Sequence, residues 1–155
     1  AYDLFPGGES ETEYVSLETI FRESDIISLH VPLTKETRHL IDAGAFSRMK
    51  DGVMLINTGR GALIDTQALI GALKKGKVGA AGLDVYEEEE KIFFHDLSGT
   101  ILNDDVLARL MTFPNVLITG HQAFLTHEAL ANIAETTLQN VSDFENGKEL
   151  VNRVG

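Results

Sequence analysis

Four side chains able to hold an acid or move a proton, His30, Arg60, Asp84 and His121, stand at or just beyond the ends of short apolar runs. A guanidinium is a planar fork matched to a carboxylate or a phosphate. An imidazole with a carboxylate beside it is favoured in its protonated form and can serve as general acid and base. The carboxylate for His121 could come from the run Glu87-Glu88-Glu89-Glu90, and spacing does not choose among the four. An arginine, a histidine and a carboxylate together suit reduction of a carbonyl that neighbours a carboxylate, provided a hydride donor is present. Each residue also has a plain structural use. His30 precedes a proline and could be a packed histidine, Asp84 could be a cap or turn former, and His121 beside Gly120 could satisfy backbone groups.

Other chemistries fit less well. A metal site built from Asp84, Glu89, His121 and His127 lacks ligand spacing, because the two histidines are six apart rather than the three or four that share a helix face; no metal is expected. A serine hydrolase would want a G-x-S-x-G elbow, and none occurs. Cysteine is absent, which removes disulfides and thiol nucleophiles and fits a reducing, cytoplasmic compartment. A net charge of -11 and a pI near 4.8 disfavour nucleic acid and acidic membrane surfaces as partners. No apolar run approaches a membrane span.

These residues need elements to position them. At 155 residues, 43% hydrophobic and 24% charged, the chain can build one sizeable core. Val53 to Ile56 is wholly apolar, as in a strand covered on both faces. Asn57-Thr58-Gly59-Arg60-Gly61 then turns the chain, and Asp65 caps the helix TQALIGALKK, with Gly76 as its C′ residue. Further strands are expected at 25–31, 78–85 and 116–119, with the tail of one at 1–5 before the break Pro6-Gly7-Gly8. Helices are expected over 16–24 behind the cap Ser16, and around 42–49 and 105–111. A long final helix of about 126–146 carries Leu130, Ile133, Ala134, Thr137, Leu138, Val141 and Phe144 on one stripe. Residues 86–103, with Phe93-Phe94, are the least regular. Alternating strands and helices predict right-handed crossovers and a mainly parallel, doubly wound α/β sheet. In such a sheet the four polar groups share the carboxyl edge, where ligands bind.

The dinucleotide fingerprint G-x-G-x-x-G is absent: Gly59-Arg60-Gly61 imitates it, but Ile64 fills the third position. Asp3, an acid at a strand end, is by contrast the type of group that grips the ribose hydroxyls of NAD.

The motifs SDIISLHVPLTKETRHLI, MKDGVMLINTGRGALIDTQALI, GLDVYEEEE, DDVLARL and NVLITGHQAFLT, in this order, resemble the NAD-dependent D-isomer-specific 2-hydroxyacid dehydrogenases, within them the bacterial fermentative D-lactate type. The resemblance implies a Rossmann-like cofactor domain lacking its first strand and glycine-rich loop. It implies that Arg60 binds the substrate carboxylate, that His121 is the proton donor or acceptor, and that Glu89 is its paired carboxylate. Cofactor contacts fall to Asp3, Val31, Pro32, Thr37, Thr58, Gly59, Arg60 and Asp84, and Phe124 limits substrate size. Gly59 stands where relatives often carry alanine or serine, a departure expected to be tolerated. The implied reaction interconverts pyruvate, or a close 2-keto acid, and the D-2-hydroxy acid with NAD. Residues 1–155 are then a partial NAD-binding domain, whose part from about 126 leads back toward an absent substrate domain. The sequence is expected to be part of a longer, homo-oligomeric protein rather than a fragment that completes its sheet through another chain. The alternatives are a non-catalytic NADH-sensing interaction protein on the same scaffold and an inactive fragment.

Overall fold

The computed structural model describes residues 1–6, 12–89, 92, 96, 99, 101 and 103–153. Gly7-Gly8, Glu90 and the pair Phe93-Phe94 lie outside the described residues. The chain divides into two compact units, Ala1–His121 and Gln122–Gly155.

The first unit runs α1 (Leu17–Glu23), β1 (Ile26–Leu29), α2 (Ala43–Arg48), β2 (Val53–Asn57), a single 3₁₀ turn (Gly61–Leu63), α3 (Thr66–Lys74), β3 (Val78–Leu83), α4 (Asp105–Met111) and β4 (Val116–Ile118). The strands form one parallel sheet in the order β1-β2-β3-β4. When each strand is added on the same side of the last, right-handed crossovers must deliver every helix to the same face. Accordingly α1 meets α2, α2 meets α3 and α3 meets α4 in a continuous layer. Under that layer lie Phe21, Ile41, Leu55, Leu63, Leu69, Val78 and Leu110, each at most 1% exposed. Ile26, Met54 and Leu117 are exposed, as the alternating pleat requires when helices cover one face. The unit is thus one half of a doubly wound arrangement.

Local signals hold. Ser16, Asp42, Asp65 and Asp104 each accept a backbone N–H from the first turn of the helix they cap. Gly76, at φ 71°, ends α3 with its own N–H on Leu73 O and that of Lys77 on Ala72 O, the paired bonds of a Schellman end. The two glycines around Arg60 differ. A Cβ on Gly59 would meet Leu29 O at 3.5 Å, ordinary contact, whereas one on Gly61 would lie 2.1 Å from the Tyr86 carbonyl carbon.

One expectation fails. Residues 1–5 are not a strand tail. A strand needs a neighbour along its length to take its backbone groups, and among the described residues the bond from Val15 N to Ala1 O, at 2.8 Å, is not continued along residues 2–5. Asp3 Oδ1 accepts from Phe5 N at 2.8 Å, a local turn bond that competes with extended pairing.

The second unit is built on α5 (His127–Glu145), capped by Thr126, which accepts from Ala129 N at 3.2 Å. Its predicted stripe is present and exposed at Leu130, Ile133, Leu138, Val141 and Phe144. Among the described residues no helix is long and apolar enough to cross a membrane.

Gly61→Ala should lower unfolding free energy by at least about 1–3 kcal/mol, the usual cost of overpacking against an unyielding neighbour. Gly59→Ala should leave it within about 1 kcal/mol of the parent. Urea denaturation of the two variants side by side measures the contrast.

Candidate active site

The register makes the edge. Leu29, Asn57, Leu83 and Ile118 lie side by side at the carboxyl ends of β1 to β4. Parallel bonding continues beyond them: Asp84 N donates to Asn57 O at 2.9 Å, Thr119 N to Leu83 O at 2.9 Å and His121 N to Asp84 O at 2.7 Å. His30, Arg60, Asp84 and His121 therefore leave the sheet along one rim, as their places after the apolar runs predict.

Arg60 is carried by a turn that Asn57 shapes from beneath. Asn57 is fully buried, and its amide donates to Arg60 O at 2.9 Å while its Oδ1 accepts from Gly59 N at 3.1 Å. The amide thus satisfies a donor and an acceptor that the sharp turn would otherwise strand. The Arg60 guanidinium is exposed, with Nη1 donating to Gly59 O at 2.8 Å.

The fold brings Glu89 of the glutamate run to His121. His121 Nδ1 lies 2.9 Å from Glu89 Oε1, with the two side chains 30% and 13% exposed. Glu89 Oε2 accepts from Tyr86 N at 3.0 Å, so the backbone fixes one carboxylate oxygen while the other meets the ring. His121 itself has φ 55°, in the left-handed region that costs a non-glycine residue about 1 kcal/mol or more. Its N–H bond to Asp84 O holds it there. Asp84 is 4% exposed, and its carboxylate is bonded by the Thr119 hydroxyl.

The remaining residues are more scattered. Thr37 closes the turn after β1, its hydroxyl donating to Pro32 O at 2.7 Å and accepting from Thr34 N at 2.7 Å. Val31 is half-buried, and Thr58 and Asp3 are exposed. His30 Nε2 pairs with Ser28 Oγ at 2.8 Å. Phe124 and His127 belong to the second unit, and Phe124 is exposed. Among the described residues no three His, Asp or Glu side chains are grouped to hold a metal.

Residues 2–123 match the family model for the D-isomer specific 2-hydroxyacid dehydrogenase NAD binding domain. The chain belongs to that family. It is 54% identical to D-lactate dehydrogenase of Escherichia coli K12 over 99% of its own length and 48% of the relative's. It is 48% identical to an aromatic 2-oxoacid reductase of Clostridium sporogenes, over 93% of this chain and 44% of that one. Among solved structures, a D-lactate dehydrogenase from Treponema pallidum superposes with a TM-score of 0.92 at 38% identity, covering 99% of this chain and 47% of that one. A D-lactate dehydrogenase with NAD+ from Lactobacillus jensenii gives 0.90 at 36% identity, covering 99% and 47%. The chain thus spans about half the length of the relatives it matches.

Three supports of the site carry little signal in the sequence. Asn57 was legible only as a polar residue closing an apolar strand, and Thr119 only as a hydroxyl two positions before His121. The third is Tyr86, 6% exposed, whose hydroxyl donates to both carboxylate oxygens of Asp104, at 2.9 and 3.1 Å. That bond ties the Glu89 turn to the cap of α4.

Burial first, then the Asp104 carboxylate, pushes the Tyr86 phenol well above the ordinary tyrosine range. Below about pH 10 both folded and unfolded chains keep this proton; above it the unfolded chain releases it while the folded one does not, so stability falls as pH rises. Tyr86→Phe should flatten that alkaline loss, read from urea midpoints at about pH 9 and 11. With no tryptophan in the sequence, the 295 nm difference between parent and variant should report the late phenol directly.

Proposed function

We propose that this chain supplies the cofactor-binding and acid-base half of an NAD-dependent D-2-hydroxyacid dehydrogenase, acting on pyruvate or a close 2-keto acid, most simply as a D-lactate dehydrogenase. The observation that carries it is the contact of His121 Nδ1 with Glu89 Oε1 at 2.9 Å, on the sheet edge from which Arg60 also emerges. Similarity to the E. coli D-lactate dehydrogenase supports the substrate class, and the whole enzyme is expected to be a cytoplasmic homo-oligomer.

The donor set at the edge fits a nicotinamide dinucleotide. Asp84 offers a buried carboxylate at a strand end, Thr58 and Gly59 a hydroxyl and a backbone turn, and Val31, Pro32 and Thr37 a wall after β1. Asp3 does not stand at a strand end here, its Oδ1 accepting from Phe5 N at 2.8 Å, and a grip on the ribose hydroxyls is proposed for it on the family resemblance alone. When bound, the reduced nicotinamide supplies a hydride to the carbonyl carbon.

The chain's own residues do the rest. Arg60 presents two parallel N–H groups to the substrate carboxylate, which orients the neighbouring carbonyl. Charge grows on the carbonyl oxygen as the reaction proceeds, and His121, protonated, gives its Nε2 proton to that oxygen. Glu89 holds Nδ1 at 2.9 Å, which fixes the ring's orientation before the transfer. In the reverse direction neutral Nε2 takes the hydroxyl proton and Glu89 stabilises the imidazolium that forms.

In the whole enzyme His121→Gln should lower kcat by about 10²- to 10⁴-fold, the range for loss of a general acid, while NADH affinity changes little. Steady-state rates with pyruvate and NADH fluorescence titration test this. Equal losses in both would refute the proton-transfer role. Phe124 is the proposed limit on substrate size: Phe124→Ala should raise the kcat/KM ratio of phenylpyruvate to pyruvate by about tenfold or more, on the scale of one to two kcal/mol of pocket discrimination.

A further inference from the structure

Two glutamates of one short turn, Glu87 and Glu89, each hold a histidine, and both histidines have left-handed backbones: His39 at φ 53° and His121 at φ 55°. Glu89 belongs to the acid-base pair. Glu87 is absorbed by nothing in the mechanism, yet its side chain is only 17% exposed and takes up three donors. Oε1 meets Arg38 Nη2 at 3.0 Å and His39 Nε2 at 2.7 Å, and Oε2 accepts from Thr66 Oγ1 at 3.3 Å. As a surface ion pair this would count for little, since Arg38 is 54% exposed. Its geometry matters more, because the three donors come from the connection after β1 and from the first residue of α3.

We propose that Glu87 is a positioning residue: through Arg38, His39 and Thr66 it sets the turn that presents the Glu89 carboxylate to His121. The inference rests on the dehydrogenase reading. His39 N donates to Ala62 O at 2.8 Å, in the 3₁₀ turn directly after Arg60. The chain Ala62–His39–Glu87 therefore links the segment that carries Arg60 to the turn that carries Glu89. A second lock lies alongside, where the bare Cα of Gly61 lets the backbone pass against the Tyr86 carbonyl. Within that turn Glu89 N donates to Tyr86 O at 3.3 Å and Glu89 Oε2 accepts from Tyr86 N, so the two glutamates leave one hydrogen-bonded loop. Its dihedral angles decide where Glu89 points. Removing Glu87 frees that loop while deleting no group of the acid-base pair itself.

The test is a double-mutant cycle in the whole enzyme with pyruvate and NADH. Glu87→Ala should cut kcat by about 10- to 100-fold, the cost of small misplacements at a reacting centre, with KM for pyruvate and NADH affinity moved less than about threefold. Glu87→Asp should recover part of the loss. In a Glu89→Gln background the same Glu87→Ala change should cost less than about threefold, because a residue acting through Glu89 has nothing left to position. An equal loss in both backgrounds, or an unchanged kcat in Glu87→Ala, would overturn the inference. If Glu87→Ala does not fold, Thr66→Val and Arg38→Met each remove one arm of the clamp and enter the same cycle with the same criteria. Failure of the dehydrogenase reading is distinguishable, since the parent enzyme would then turn over neither pyruvate nor another 2-keto acid with NADH before any variant is compared.

Discussion

The parallel ladder is the constraint from which the site follows. Because β1 to β4 run the same way and end in register at Leu29, Asn57, Leu83 and Ile118, whatever follows each strand must emerge along a single rim. Parallel strands cannot be joined by tight hairpins, so each crossover carries a helix, and the helices cover the sheet while the carboxyl ends stay open. The open edge is thereby separated from the layer that supplies stability. Core residues such as Leu55 and Val78 lie under the helices, and the polar groups lie at their edge.

Polar groups brought to that rim are half out of water and must be satisfied. Asn57, Thr66 and Asp84 are the buried polar side chains among the described residues, and each is bonded to a segment at the rim. Asn57 holds the Arg60 turn, Thr66 joins the Glu87 clamp, and Asp84 ties β3 to Thr119 and His121. A half-satisfied network in this position would cost more than an apolar one. The same bonds therefore keep the fold sound and fix the turns that carry Arg60, Glu89 and His121.

The electrostatics are local rather than global. At a net charge of -11 the chain repels small anions at long range, and that field is screened within about 8–10 Å at ordinary ionic strength. Any attraction for an anion at the rim thus comes from local donors, with the exposed Arg60 fork foremost. Glutamates in the 87–89 turn add negative charge there, and the structure spends two of them on bound cationic or protonatable partners: Glu87 on Arg38 and His39, Glu89 on His121.

Much of this was legible from residues alone, because strand and helix signals are local. Apolar runs marked all four strands, Ser16 and Asp65 marked helix starts, Gly76 marked a helix end, and the order of elements decided that His30, Arg60, Asp84 and His121 share an edge. Composition could not choose among consecutive glutamates; only the family resemblance named Glu89. The choice was made by turn dihedrals and by partners 32 and 48 residues away in sequence, which no local pattern encodes. The strand expected at 1–5 failed for the same reason: a strand is a relation between two segments, and its hydrogen-bond partner is a property of the fold. What the sequence by itself determined was which groups reach the rim. Which of them touch, and what holds them, was decided by tertiary structure, since contact between distant residues depends on backbone angles that only the assembled sheet and its turns set.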